Sequence, residues 1–377
     1  MNSASIIFIF NSPLSSGCDY VIQTMRIVAK KNFVYGIALG DIISFPKWLF
    51  SNDRWVVRKT DGAIVIRPIS FLPGIRFRMV KLLSYVVVIA GVRLWMECKH
   101  IGQKKIIWFF EPFYISQLLF LFKGCTTLYD CVDYYPGFND LAKTEHARIL
   151  PCATYVVANS KPLATQLRKT RPDVQVVPLG FAHELFDKVP PHEGSSHMLQ
   201  MTVGFVGGIS DRLDFALLAS VVKKLPDVQF VLVGPIEVDV FGRIGHVQSL
   251  FGQLLEEKNV TWNGQVAKKQ ISKIISQFDV CLIPYRVDNL FNKYSFPMKT
   301  LEYFALGKPV VSTDILSLRK YHQNKLLRII SGPDEFAQAV KSIRDEGWGV
   351  DMQKKQRKEA RAMSWQQKIS TILMKLK

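Results

Sequence analysis

The sequence predicts an α/β protein made of two doubly wound domains. Three observations carry this. Short apolar runs alternate with helical stretches through both halves of the chain. Most of these runs are apolar at every position, as strands covered on both faces of a parallel sheet must be. Between the two alternating regions, residues 186–199 gather Pro, Gly, Ser and His, and the periodicity stops.

In the first half the candidate strands are Ile6–Phe10, Phe33–Ala38, Ala63–Ile66, Ile106–Phe110, Thr127–Cys131, Tyr155–Ala158 and Val174–Val177, with helical stretches between most of them. The second half reads more cleanly. Met201–Val206 is a strand closed by Gly207 and Gly208. A helix over Asp211–Leu225 follows, with Leu218, Val221, Val222 and Leu225 on one face, and it stops before Pro226. Further strands are Gln229–Pro235, Asn259–Trp262, Val280–Tyr285 and Pro309–Thr313, with helices over Lys268–Gln277 and from Pro297. The predicted organisation is a first Rossmann-like domain over 1–185, a linker over 186–199, a second such domain over 200–349, and a basic helical tail over 350–377 broken near Met363–Trp365. Ligands of open α/β sheets bind at the carboxyl ends of the strands, so the cleft between two such domains is the expected place for chemistry.

A chain of 377 residues is long enough for two cores, and 48% hydrophobic residues exclude a disordered one. A net charge of +18 asks for anionic partners: nucleic acid, phosphorylated small molecules or anionic lipid. The six cysteines form no C-x-x-C pair and no His cluster accompanies them, which predicts free thiols in a reducing compartment and no metal site. Ile6–Phe10 is too short for a signal-peptide core, and the uncharged run Leu82–Val92 falls short of a bilayer span of roughly 18 residues. The expectation is a cytoplasmic, non-spanning protein.

The most informative segment is Phe296–Thr313. Pro297 suits a first helical position, and Lys299 and Glu302 then share one face near the helix start, before Gly307 ends the helix and a strand follows. An ammonium and free amides suit a diphosphate, and a carboxylate suits ribose hydroxyls. An isolated i,i+3 surface ion pair is the alternative reading. Gly207 and Gly208 end the first strand of their domain; alone, such a pair is also read as a tight turn. Arg212 follows in the next loop, where phosphate contact and solvent exposure are both open. Arg286 and Lys293 lie in the loop feeding the key helix.

Pro297-Met-Lys-Thr-Leu-Glu-Tyr-Phe-Ala-Leu-Gly-Lys-Pro-Val-Val311 resembles the P-x-K-x-x-E-Y-x-A-x-G-K-P-V-V signature of bacterial GT-B glycosyltransferases. The likeness is to family-4-like enzymes of surface-polysaccharide assembly, including the TuaH-like and GumK-type groups. Val203–Gly208, Phe230–Pro235, Asn259–Gly264, Asp279–Tyr285, Leu128–Asp133 and Val177–Phe186 agree with it, so that the resemblance spans roughly residues 105–320. It implies a GT-B fold, an acceptor-binding first domain, a nucleotide-sugar-binding second domain, and tail helices that cross back to the first. It implies that Glu302 holds the ribose, that Lys299 stabilises the leaving diphosphate, that Gly207 and Gly208 admit the phosphates, and that Gly264, Gln265 and Val266 border the base. Tyr285, Arg286, Tyr294, Ser295 and Met298, together with Arg212, complete the expected donor contacts. Retaining family-4 enzymes usually carry a second Glu eight residues before the ribose Glu, and this chain has Tyr294 there.

Glycosyl transfer passes through an oxocarbenium-like state, and its nucleotide leaving group needs charge neutralisation rather than an acid. No metal or other cofactor is expected. An inverting enzyme also needs a base for the acceptor hydroxyl. Asp133, at the end of Thr127–Cys131, is the candidate; Asp130 and Glu111 are weaker ones, and turn capping is the structural alternative. Residues 64–97 mix basic side chains (Arg67, Arg76, Arg78, Lys81) with Phe71, Phe77 and Leu82–Leu83, which suits an interface with anionic lipid as well as a core helix with a basic face. The resemblance implies a lipid-linked sugar acceptor at the inner membrane, with UDP favoured as the donor nucleotide and UDP-glucuronate among the candidate donors. The competing readings are a sugar-nucleotide 2-epimerase of the same architecture and a non-catalytic nucleic-acid binder. The second is disfavoured because the aromatics fall mostly in strands that read as buried.

Overall fold

The computed structural model describes residues 4–12, 19–189, 200–237 and 244–376. Most of the expected linker, residues 190–199, lies outside them, as does Cys18. The chain divides into two compact units, Met1–Gly180 with Trp365–Lys377, and Phe181–Ser364.

The first unit holds β1 (Ser5–Phe10), β2 (Phe33–Ala38), β3 (Ile43–Ser44), β4 (Val57–Thr60), β5 (Ala63–Ile66), β6 (Ile69–Ser70), β7 (Lys105–Phe109), β8 (Thr126–Cys131), β9 (Tyr155–Ala158) and β10 (Gln175–Val176). Eight of them form one sheet in the order β10-β9-β8-β7-β1-β2-β5-β4. Every pairing is parallel except β4 with β5. The central strands are buried on both faces, which explains why β1 is apolar throughout. β4 escapes the sequence reading because it is an exposed antiparallel edge, Val-Arg-Lys-Thr, with no apolar run.

The helices of this unit are α1 (Asp19–Val28), α2 (Phe45–Leu49), α3 (Arg78–Lys99), α4 (Ile115–Leu118), α5 (Asp140–Ile149) and α6 (Lys161–Leu167). α3 departs from expectation. Its charged residues interrupt the uncharged run but not the helix, and with 22 residues, of which an 18-residue window has a mean hydropathy of 1.7, it is long and apolar enough to cross a bilayer. Its inner face packs Tyr85, Ile89, Val92 and Met96 into the core, and the Tyr85 hydroxyl donates to the Leu39 carbonyl (3.1 Å).

His146 of α5 is buried beside the Tyr129 hydroxyl, 2.9 Å from Nδ1. Burial lowers its pKa from 6.5 to about 4. Between those values the unfolded chain binds a proton that the folded chain does not, so stability falls as pH falls through that window. The expected loss, fully developed below pH 4, is about 3 kcal/mol. Urea unfolding of the wild type and of His146→Gln at pH 7 and pH 4.5 checks this; equal pH dependence in the two chains would contradict it.

The second unit holds β11 (Thr202–Val206), β12 (Gln229–Val233), β13 (Val260–Trp262), β14 (Val280–Ile283), β15 (Val310–Thr313) and β16 (Arg328–Ile330). They form one parallel sheet in the order β13-β12-β11-β14-β15-β16, a doubly wound pattern whose direction reverses between β11 and β14. Its helices are α7 (Phe215–Lys224), α8 (Ile244–Leu255), α9 (Lys268–Ser276), α10 (Leu290–Tyr294), α11 (Lys299–Ala305), α12 (Arg319–Gln323), α13 (Pro333–Glu346) and α14 (Val350–Ala362). α7 begins at Phe215 rather than Asp211, because the Asp214 carboxylate caps it by accepting from the Leu217 amide (2.9 Å). α11 begins at Lys299 rather than Pro297; the residues before it close a tight turn, with Thr300 N bonded to Pro297 O (3.0 Å).

Two boundaries differ from the sequence reading. The first unit ends at Gly180, not at 185, because Phe181 and Phe186 are buried in the core of the second unit with ring centroids 5.2 Å apart. The tail divides at Ser364, so residues 350–377 do not return to the first unit as a whole. α14 belongs to the second unit, where the buried Gln356 donates to the carbonyls of Lys308 and Leu326 (2.8 Å each). α15 (Trp365–Lys375) belongs to the first, burying Trp365, Ile369 and Ile372. Within it Lys368, wholly buried, places its ammonium 3.1 Å and 2.8 Å from the two oxygens of the buried Asp130 at the end of β8. The five described cysteines are free thiols; Cys98 and Cys152 are exposed.

Candidate active site

In the second unit the reversal between β11 and β14 leaves the ends of those strands side by side. Gly207 follows β11, and Tyr285 stands two residues past β14. Backbone bonds join the two loops: Asp214 N donates to Pro284 O and Arg286 N to Arg212 O (2.9 Å each).

Lys299 reaches this junction from the first turn of α11. Its ammonium donates to the Tyr285 hydroxyl and lies 4.5 Å from the centroid of that ring and 4.9 Å from the Phe205 ring. Gly207 has φ +147°, and a Cβ there would stand 3.2 Å from the Lys299 Nζ. Only glycine lets the chain turn in this way so close to the cation, while the Gly207 amide itself is bonded to Val233 O (2.9 Å). Arg212 closes the other side. Its guanidinium lies 4.8 Å from the centroids of both the Tyr285 and Phe291 rings, and its Nε donates to Asn292 Oδ1 (2.8 Å). Asn292 is buried and donates in turn to the carbonyls of Arg212 (3.1 Å) and Arg286 (3.0 Å). Burial opposes ionisation of Tyr285, but the Lys299 and Arg212 cations and the Lys299 hydrogen bond outweigh it, so the phenol lies below its ordinary value. Two fixed cations, an aromatic floor and a glycine turn form an anion-binding constellation.

Glu302 lies one turn beyond Lys299 and is half-buried. Gly264, in a left-handed turn at φ +62°, accepts at its carbonyl from Gly234 N (2.7 Å), which ties the loop carrying the exposed Gln265 and half-buried Val266 to the end of β12. Tyr294 and Met298 are half-buried around the start of α11, with Met298 packed on the core. Ser295 is buried and accepts at its carbonyl from Ser317 Oγ (2.9 Å). Arg286 is engaged elsewhere, paired with Asp288 on the surface (2.6 Å), and that carboxylate raises its pKa. Lys308, in the same sequence segment as Lys299, is a structural cation. It is buried and donates to the carbonyls of Ser276 and Phe278 (2.7 Å each), and burial lowers its pKa.

Sequence reasoning missed Glu237. Its carboxylate rests over Gly208, where a Cβ would come within 2.1 Å of the carboxyl carbon. The signal was available: Glu237 closely follows Val233-Gly-Pro, at the carboxyl end of a sheet strand. It missed Phe205 and Asn292 as well, because each reads as an ordinary core or loop residue until its neighbours are known.

The first unit has its own reversal point, between β1 and β7. There the buried Glu111 accepts from Asn11 N (2.7 Å), Ser12 Oγ (2.7 Å) and the Tyr20 hydroxyl (2.9 Å). Asp133, half-buried beyond β8, has its carbonyl fixed by Tyr135 N (3.1 Å) and Cys131 Sγ (3.3 Å). Burial and the negative charges of Glu111 and Asp133 hold the Tyr20 phenol well above its ordinary value. Among the described residues no three His, Cys, Asp or Glu side chains converge as metal ligands do.

Residues 200–346 match the sequence family described as Glycosyl transferases group 1. The second unit is a glycosyltransferase domain of that group. Over 285 residues, 70% of each protein, the chain is 26% identical to a putative teichuronic acid biosynthesis glycosyltransferase, TuaH, of Bacillus subtilis. Two solved structures place the glycosyltransferase domain within a GT-B fold. One is sucrose-phosphate synthase from Thermosynechococcus elongatus, at a TM-score of 0.76 and 16% identity over 98% of both chains. The other is Anabaena Alr3699/HepE in complex with UDP and glucose, at a TM-score of 0.70 and 15% identity over 99% of both. The anion-binding constellation described above lies within the matched residues.

Proposed function

We propose that the protein transfers a sugar from a nucleoside-diphosphate donor to a lipid-linked or polysaccharide acceptor in surface-polysaccharide synthesis. The observation that carries this reading is the convergence of Lys299 and Arg212 on Gly207 and Tyr285, a place shaped for a diphosphate. The complex of Alr3699/HepE with UDP and the teichuronic acid role ascribed to TuaH favour UDP and polysaccharide synthesis. UDP-glucuronate is the donor to try first.

In this reading Glu302 takes the ribose hydroxyls, while Gly264, Gln265 and Val266 border the base. Gly207 admits the phosphates, Gly208 joins it once the Glu237 carboxylate that covers it moves away, and Tyr285, Tyr294, Ser295 and Met298 wall the donor. Lys299 and Arg212 neutralise the leaving diphosphate, a task that elsewhere falls to a divalent ion, so transfer proceeds without a metal. Arg286 joins the donor only by leaving Asp288. Asp133 takes the proton from the acceptor hydroxyl, with inversion at the sugar carbon. The acceptor lies at the cytoplasmic face of a membrane.

A thermal-shift comparison of UDP, GDP and ADP with oligonucleotides tests the reading. One nucleoside diphosphate should raise the melting temperature strongly and oligonucleotides should not. Lys299→Met should weaken that nucleotide by about 10–100-fold, the worth of a charge-assisted bond. No nucleotide effect, or an unaltered one in Lys299→Met, would sink it. Anomeric analysis of the product separates inversion from retention, and release of a C2-inverted free sugar nucleotide would indicate the epimerase.

A further inference from the structure

The outer face of α3 is an apolar stripe in water. Met79, Leu83, Val87, Leu94 and Trp95 are exposed by 65, 49, 70, 67 and 53%, and they follow one another at helical spacing. Phe71, exposed by 73% and tilted against Phe45 of α2 with ring centroids 5.0 Å apart, adds an aromatic contact near the start of the helix. Such a face is larger than isolated surface hydrophobics require, and it marks an interaction site.

Charge identifies the occupant. From Gly62 to Met96 the chain has no Asp or Glu, and five basic residues: Arg67, Arg76, Arg78, Lys81 and Arg93. Arg78 is paired with Glu145, and Arg67 and Arg93 bond to main-chain carbonyls. Arg76, over the Phe77 ring, and Lys81 remain at the rim of the stripe near its amino end. The one acid on α3, Glu97 in its last turn, is paired with Arg93 and Lys105, and a basic rim beside such an apolar face fits anionic lipid and repels a second copy of the same basic surface.

Length and hydropathy would also let α3 span a bilayer. The fold argues against it. Spanning would pull Tyr85, Ile89, Val92 and Met96 out of the core and break the Tyr85–Leu39 bond and the Arg78–Glu145 pair. Lying in the plane of the interface uses only the stripe that the fold leaves bare. We propose that α3 is an in-plane membrane anchor, its outer stripe sunk into one leaflet and Arg76 and Lys81 on lipid phosphates. This deepens the reading above, in which the acceptor is lipid-linked, but it rests on the first unit's own surface.

Co-sedimentation of the full chain with phosphatidylglycerol–phosphatidylcholine vesicles, set against phosphatidylcholine alone, tests it. The anionic vesicles should retain the protein, less so in high salt, and carbonate at high pH should release it. Leu83→Asp with Val87→Asp should cut retention by at least about tenfold. Arg76→Glu with Lys81→Glu should remove the preference for anionic vesicles. Both double variants should keep the wild-type melting temperature and its shift with UDP. The anchor is overturned if the wild type stays in the supernatant, if the Asp variant binds as well as the wild type, if carbonate fails to release the protein, or if the wild type is a dimer that the Asp variant splits. Failure of UDP to shift the melting temperature would sink the transferase reading and leave the vesicle result standing.

Discussion

Asp133→Asn is expected to slow glycosyl transfer by about 10²–10⁴-fold, the usual contribution of a positioned base. Nucleotide affinity should stay as in the wild type, because no donor group is altered. The acid limb of the pH–rate profile should vanish with the carboxylate. The contrast with Glu111 sharpens the test. Glu111 accepts from three donors in the β1–α1 region, so its oxygens are committed to holding the backbone after β1. Asp133 has its main chain fixed by Tyr135 and Cys131 and is half-buried, as a base that meets a substrate must be. The nearby Tyr20 and Tyr135 phenols are raised, by burial first, and stay neutral at working pH. Glu111→Gln should lower the melting temperature with a smaller loss in kcat. If it abolishes transfer while Asp133→Asn does not, the base is Glu111.

Lys368→Met is expected to destabilise the protein by about 3–5 kcal/mol, since it strands a buried carboxylate on Asp130. The pair itself contributes little net stability, because both charges had to leave water. The double substitution Asp130→Leu with Lys368→Met should therefore recover most of the loss or exceed the wild type, by about 1–4 kcal/mol at best. Urea unfolding of the single and double variants completes the cycle. A single variant that costs less than about 1 kcal/mol would mean that water reaches the pair, as at a surface salt bridge.

The sheet cores were legible because strands covered on both faces are apolar at nearly every position, as β1, β11 and β14 are; the edge strands β10 and β13, half-buried or exposed, were legible only from their place in the strand–helix alternation. β3, β4, β6 and β16 were not: β3 and β6 are two residues long, β4 is a polar edge, and β16 is a short strand holding Arg328. Lys299, Gly207 and Tyr285 were each singled out in the sequence, and the fold brings them together over separations of 92 and 14 residues. Glu237 was not, because its place over Gly208 depends on how the ends of two neighbouring strands pair, with Glu237 N bonded to Ile209 O (2.8 Å). Arg286 shows the opposite failure: a cation in the expected loop is turned to an acid two residues away. The unit boundary at Gly180 was hidden because the Pro- and Gly-rich stretch, the strongest punctuation in the chain, lies past two phenylalanines that already belong to the next core.

The first unit is discontinuous, and this sets an order of events during synthesis. Residues 1–180 emerge from the ribosome with Asp130 already committed to the sheet, but the side chain that neutralises it is 238 positions downstream. Until α15 is made, the nascent sheet carries an unmatched anion and an uncovered apolar face next to α1, while residues 181–364 are free to fold as a contiguous piece. The later-made half is therefore the first that can reach its final state, and the amino-terminal half waits for the carboxyl-terminal helix. Chains arrested on the ribosome behind a carboxyl-terminal linker long enough to clear the exit tunnel, with and without residues 365–377, and probed by limited proteolysis, should show protection of the first unit only when α15 is present.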